Sequence, residues 1–329
     1  MATLTEMLEH TVDFAKRPTE AFRASAPFSA LHAQLGPLTE LPGTWVGQGF
    51  NLIALPNFAN GNKPLPFRLK LTDTREMLTF TSIGGPIPNR GETQPDIFFV
   101  GVHYFQQVSD ASNLSGLHLE PGMWLNVPPT LPGGKDASVV RLATIPHGDA
   151  LLAQGALINL GRPIPNGPQI EAVDPIPFTL SPTGARVDDP NPAYTAPYHN
   201  PVDLPAGITP DVVLNPNQLL LNTIASQKSA GQKVIETTVL RVDANPLPGV
   251  ALNGPLPPTD PPLPLGGITN IPFVNNNAKA TTMSAIFWVE KVEDATGNVF
   301  MQLQYTQTVI LDFIGIKWPH ISVATLVKQ

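Results

Sequence analysis

No cysteine occurs in the 329 residues, so thiolate nucleophiles, disulfides, Cys-ligated zinc and iron–sulfur clusters are excluded. Reactivity has to come from histidine, carboxylate, tyrosine or serine. His320 follows Trp318-Pro319 and opens a final strand on which His320, Ser322, Ala324 and Leu326 share one face. An imidazole at the mouth of a face of small residues can ligate a metal through Nε2. The same position also suits a histidine satisfied by a carbonyl at a strand start. His118 lies in Leu117-His118-Leu119-Glu120-Pro121-Gly122-Met123-Trp124, where His118, Glu120 and Trp124 alternate onto one face. A buried carboxylate is costly unless paired, so Glu120 either reaches solvent or meets a donor. His118 and Glu120 are too close on one strand to make a metal site by themselves. His147, in Pro146-His147-Gly148, reads as a solvated hairpin turn. His103, beside Phe99 and Phe105, reads as core, and His10, His32 and His199 as surface residues. Neither the Gly-x-Ser-x-Gly and His-Glu-x-x-His motifs nor a P-loop or Rossmann signature is present.

The elements that must position these residues are strands. In Gly43-Thr44-Trp45-Val46-Gly47-Gln48-Gly49-Phe50, alternation puts Gly43, Trp45, Gly47 and Gly49 on one face. Glycine inside a strand costs roughly 0.5–1 kcal/mol against alanine, so three on one face imply close approach of a ligand or another backbone, or a bend at a barrel corner. Further strands are expected at 66–71, 76–82, 96–108, 116–126, 138–145, 149–160, 279–293, 299–312 and 319–328, with connections too short for crossover helices. The expected architecture is mainly β: a closed antiparallel up-and-down barrel whose first strand is Gly43–Phe50 and whose last carries His320.

Residues 3–16 read as an amphipathic helix opened by the Thr3/Glu6 pair, and a second helical piece spans Ser29–Leu35. Both belong to a segment 1–40 that packs on the barrel as a lid or plug. The barrel takes residues 41–160 and 277–329. Between them, 161–276 is rich in proline, and a structureless loop of that length is improbable in a compact domain. A folded-down extension on the barrel is expected, with one patterned island at 217–243 that holds a short helix and a strand.

Composition agrees. Thirty-eight prolines exclude a mostly helical chain. A net charge of −7 with no Lys/Arg cluster argues against nucleic acid or an anionic membrane surface. No apolar run is long enough to span a bilayer and no basic-then-apolar leader opens the chain, so a cytoplasmic location is expected.

Laid end to end, these pieces resemble the nitrobindin family, small haem-binding barrels related to fatty-acid-binding proteins. Its Gly-x-Trp-x-Gly-x-Gly signature is matched by Gly43, Trp45, Gly47 and Gly49. Its second hairpin looks like Phe80–Pro86, its His-x-Glu-x-Gly-x-aromatic strand like His118–Trp124, and its closing strands like Leu303–Tyr305 and Pro319–Leu326. The resemblance covers a little over half the chain and omits 161–276 and the N-terminal helices. It implies a b-type haem (iron protoporphyrin IX) with His320 as axial ligand and His118 facing the same cavity, where it could serve catalysis. Gly43, Thr44, Trp45, Gly47, Gly49, His118 and Trp318 would then lie against the porphyrin. The implied partners are small gaseous or anionic ligands: nitric oxide, peroxynitrite isomerised to nitrate at ferric iron, or peroxide if His118 moves protons. The alternative is a haem-free carrier of a fatty acid or other apolar molecule in the same barrel. If His320 points inward, Ile321, Val323, Thr325 and Val327 point outward. That apolar stripe calls for a cover, from the extension, the N-terminal helices or a second subunit in a homodimer.

Overall fold

The computed structural model describes residues 34–129, 138–162, 168–188, 191–244 and 266–329. Its main wall consists of β1 (Gly43–Pro56), β2 (Phe67–Ser82), β4 (Ile97–Asp110), β5 (Gly116–Val127), β6 (Ser138–Ile145), β7 (Asp149–Arg162), β10 (Lys233–Ala244), β12 (Lys279–Glu293), β13 (Val299–Phe313) and β14 (Ile316–Lys328). They pair antiparallel in that order, and β14 pairs back onto β1 from Trp45↔Lys328 to Leu52↔Ile321, closing a ten-stranded barrel. Four short strands hang on this wall. They are β3 (Ile87–Asn89) on β4, β8 (Phe178–Leu180) on β14, β9 (Arg186–Asp188) on β8, and β11 (Gly266–Asn270) on β7.

The expected strands 66–71 and 76–82 are one strand, β2. The polar run Thr72-Asp73-Thr74-Arg75 looks like an interruption, yet it pairs without a break against Asn51-Phe50-Gly49-Gln48 of β1. Thr72 and Thr74 face a polar part of the interior, so no apolar alternation marks the middle of this strand. The island in the proline-rich region holds the helix Asn217–Ser229 followed by β10, which takes a full place in the barrel wall between β7 and β12.

Two hydrophobic cores result. The inner one fills one half of the barrel with Trp45, Leu78, Phe80, Tyr104, Trp124, Phe287, Leu303, Tyr305 and Leu326. Leu35, Leu38 and Leu41 join it, so the chain entering β1 plugs that end. Helix 3–16 and most of the piece at 29–35 lie outside the described residues. The outer core lies on the opposite surface of the wall. There Phe50, Leu52, Trp288, Ile321 and Val323 pack against Val173, Tyr198, Ile208, Val212, Val213 and Leu220 of the extension. The apolar stripe of β14 is thus covered by the extension: Ile321 and Val323 are fully buried, while Thr325 and Val327 are half-buried.

Side-chain hydrogen bonds fasten the cover. Thr306 Oγ1 donates to Asn217 Oδ1, Gln304 Nε2 to the Leu220 carbonyl (3.3 Å), and Gln227 Nε2 to Gln302 Oε1 (2.6 Å). Gln302, Gln304 and Thr306 on the outer face of β13 look like solvent-facing residues in the sequence. Here they meet polar groups of a packed helix.

Candidate functional site

The half of the barrel away from the plug holds a cavity of about 220 Å³. Ile53, Leu55, Val108 and Leu117 contribute apolar surface, Lys70, Glu76, His118, His147 and His320 contribute titratable groups, and amides, hydroxyls and the Tyr305 phenol complete the lining. Strand parity explains the set. Asn51 and Ile53 continue the inward parity of Trp45 on β1, and Glu76 continues that of Phe80 and Leu78 on β2. His320 and Ser322 precede Ala324 and Leu326 on β14.

His320 is half-buried. Asn51 Nδ2 donates to its Nε2 (2.8 Å) and to Ser322 Oγ (2.9 Å), so the Nε2 lone pair is the acceptor and the ring proton sits on Nδ1. Burial pulls its pKa down to about 3, and His118 and His147 push in the same direction. The imidazole is therefore neutral at physiological pH.

Across the cavity, His118 Nε2 meets Glu120 Oε2 at 3.2 Å. The donor that Glu120 required is Arg141, whose Nη2 reaches Oε1 at 2.5 Å. Arg141 also donates from Nε to Tyr104 Oη (2.9 Å) and from Nη1 to Gln307 Oε1 (2.6 Å), and Tyr104 donates to Glu120 Oε1. Burial alone would raise the Glu120 pKa, but Arg141, His118 and Tyr104 outweigh it and hold the carboxyl down at about 2. Glu120 is thus ionised and anchors one edge of His118. Sequence reasoning passed over Arg141, though a signal existed: in Val139-Val140-Arg141-Leu142-Ala143 the arginine sits on the parity of the inward-facing Val139 and Ala143.

His147 sits in a turn and is exposed, as expected, and its ring also lines the cavity. Gly148, at φ +110°, makes the turn, and Ile271 and Val274, far downstream in sequence, pack against it. The His147 ring lies 5.6 Å from that of His118, centroid to centroid, and desolvation lowers its pKa. His103, expected in the core, is a correction. Parity turns it outward from β4, opposite to Tyr104, and it is exposed. His199 is exposed, as expected.

Of the residues expected against a ligand, only His118 and His320 line the cavity. A Cβ on Gly47 would stand 2.1 Å from the Thr325 carbonyl oxygen, and one on Gly49 2.3 Å from that of Val323. The glycines thus answer to the backbone of β14. Gly43, at φ +131°, abuts the Lys328 side chain. Thr44 meets Thr79 across the strands, and Trp45 donates to the Leu41 carbonyl within the inner core. Trp318 stacks on Phe313 (5.0 Å) and contacts Phe67 in the outer core.

Among the described residues, no group of three or more His, Asp or Glu side chains is placed to hold a metal ion. No helix among them is long and apolar enough to cross a membrane. The sequence matches no protein-family profile and no curated protein. A crystal structure of Rv2717c from M. tuberculosis aligns at 13% identity over 92% of this chain and 98% of that one, with a TM-score of 0.40.

Proposed function

We propose that the cavity binds haem b, with His320 Nε2 as the single protein ligand to iron. The observation that carries this reading is the donor set. His320 is a neutral imidazole on a paired strand of the cavity wall whose Nε2 lone pair is held by Asn51, another lining residue, and among the described residues no group of three or more ligating side chains is placed for a bare ion. A bare transition metal needs three or four protein ligands, whereas iron already held by a porphyrin needs one.

Volume sets a condition. About 220 Å³ is below the roughly 300–1,000 Å³ of pockets that enclose drug-sized ligands. Haem uptake therefore requires Asn51 to release Nε2 and the cavity to widen.

When bound, ferric haem supplies an open coordination position for nitric oxide, peroxynitrite or peroxide. The chain's own contribution is His118, held by Glu120 and Arg141 with its ring at the cavity, where it can take or return a proton. The alternative of a haem-free fatty-acid carrier fits less well. An apolar tail would lie against Glu76, Gln106 and Gln307, and the buried arginine is committed to Glu120.

Titration of purified protein with hemin tests the proposal. A saturable Soret band at one haem per chain, lost in His320→Ala, is expected. No band, or an identical band in the variant, refutes it.

A further inference from the structure

Four inward-facing residues on adjacent strands stand in one row across the cavity wall. Thr72 of β2 pairs with Asn51 of β1, Asn51 with Ser322 of β14, and Ser322 with Gln307 of β13. All four line the cavity. Haem ligation by His320 and proton transfer by His118 make no use of Thr72, Ser322 or Gln307.

The hydrogen bonds of this row leave donors unspent. A guanidinium only donates, so Arg141 Nη1 decides which end of the Gln307 amide it meets: Oε1, at 2.6 Å. The Gln307 Nε2 hydrogens then have no acceptor among the described residues. Asn51 spends its amide hydrogens on His320 Nε2 and Ser322 Oγ. Ser322 Oγ therefore accepts, and its own proton stays free. Thr72 is 4% exposed, and its hydroxyl meets no partner among the described residues. Buried donors of this kind call for a water or a ligand to accept from them. An amide and two hydroxyls thus offer donors to one space.

Charge and size narrow the ligand. Lys70 lines the cavity on the same face of β2 as Thr72, two residues and about 7 Å along the strand. It makes no ion pair among the described residues, and Asp110 senses it only at longer range. Glu76 lies four residues from Thr72 in the other direction, about 13 Å along the strand. Its oxygens accept from Tyr305, Gln106 and Thr74, the hydrogen bonding of an ionised carboxylate. The row is therefore nearer the cation than the anion. A cavity of about 220 Å³ is small for drug-sized ligands and suits an ion of a few atoms.

We propose that Gln307, Ser322 and Thr72 form a binding site for a small planar oxyanion, a carboxylate or a nitrogen oxyanion, with Lys70 as the charge that draws it in. Two oxygens side by side on a planar anion match donors from the directly opposed Gln307 and Ser322, and hydrogen bonds to a charged acceptor are the stronger kind. The site belongs to the haem-free protein and does not rest on the haem reading.

Nuclear magnetic resonance of isotope-labelled, haem-free protein tests this. Formate and nitrate are titrated separately, with chloride as the control at equal ionic strength. At least one oxyanion should move the Gln307 side-chain amide signals saturably, and the tighter of the two identifies its source. Gln307→Glu keeps an acceptor for Arg141 but puts a carboxylate in place of the donor, so binding followed at the Ser322 backbone amide should be lost. Ser322→Ala should weaken binding about tenfold or more, and Lys70→Gln a few-fold with a flatter salt dependence. No saturable shift with either oxyanion, an equal shift with chloride, or wild-type affinity in both Gln307→Glu and Ser322→Ala overturns the proposal. Should Gln307→Glu fail to fold, Ser322→Ala decides alone. A failed hemin titration sinks the haem reading and leaves the oxyanion result standing.

Discussion

Replacing Arg141 with methionine isolates the electrostatics at the centre of the barrel. Methionine keeps an unbranched chain in a site where the arginine is 1% exposed, so lost charge dominates over lost volume. Glu120, fully buried, would lose its partner at 2.5 Å, and Tyr104 and Gln307 would lose a donor each. Removing one member of a buried ion pair costs about 3–5 kcal/mol, because the remaining charge has no compensation. A second route agrees in scale. The Glu120 carboxyl moves from 4.5 to about 2 in the folded protein, and at 1.36 kcal/mol per pH unit this corresponds to about 3 kcal/mol. Because the folded pKa lies below the unfolded one, this stabilisation is fully present above about pH 4.5 and is lost as pH falls through about 2. In Arg141→Met the same carboxyl is destabilising when charged, and acid relieves it. Urea unfolding should therefore show a gap of about 3–5 kcal/mol at pH 7 that narrows steadily below pH 4.5. Adding Glu120→Gln to Arg141→Met should recover part of the loss, since a neutral amide leaves no buried charge. A single variant within about 1 kcal/mol of wild type at pH 7, or a gap unchanged down to pH 3, would refute the reasoning.

Three further outcomes follow from the packing. Glu290 is fully buried under the helix Asn217–Ser229 with Oε1 unpartnered, and burial pushes its pKa up to about 8. The folded protein thus prefers it protonated and is penalised as pH rises from 4.5 to about 8. Glu290→Gln should be near neutral at pH 5 and stabilising by as much as ~4 kcal/mol at pH 8, read from denaturant midpoints. Val323→Lys places a charge beneath the extension where no partner waits, and should cost at least ~3 kcal/mol; an unchanged melting temperature contradicts the covered stripe. Gly49→Ala forces a Cβ to 2.3 Å from the Val323 carbonyl oxygen and should destabilise the β1–β14 seam by about 1–3 kcal/mol or more. Gly267→Ala is its control, since a Cβ there meets nothing within 4 Å.

What could be read from the sequence, and what could not, divides by range. Alternation is local, so the inward parity of His320, the shared face of His118 and Glu120, and the need for a cover over Ile321 and Val323 were all legible. The glycines of β1 signalled a close approach correctly but left its object open, because nothing within the strand distinguishes a ligand from the Thr325 and Val323 carbonyls of the partner strand. His147 sits in the exposed turn that was expected, but its place beside His118 at the cavity was not legible, because the two residues are 29 positions apart at the ends of different strands. Glu76 was missed outright. It follows Arg75 in a charged run, and the phenol that clasps it is 229 residues away. Contacts such as Asn51–His320 and Tyr305–Glu76, whose partners are far apart in sequence, are therefore the part of the cavity that the sequence does not display.

That division bears on how the site works. Neutral His320 on β14 and ionised Glu120 on β5 owe their charge states to different causes: desolvation for the first, a guanidinium from β6 for the second. The first cause requires the closed barrel, whereas the second joins neighbouring strands. Pairing of β14 with β1 brings Asn51 to His320 Nε2, and the same closure brings Tyr305 within reach of Glu76. A variant that loosens the β1–β14 seam should hence disturb ligand binding at His320 before it disturbs Glu120, whose partners lie on β4, β5 and β6 and do not depend on that seam.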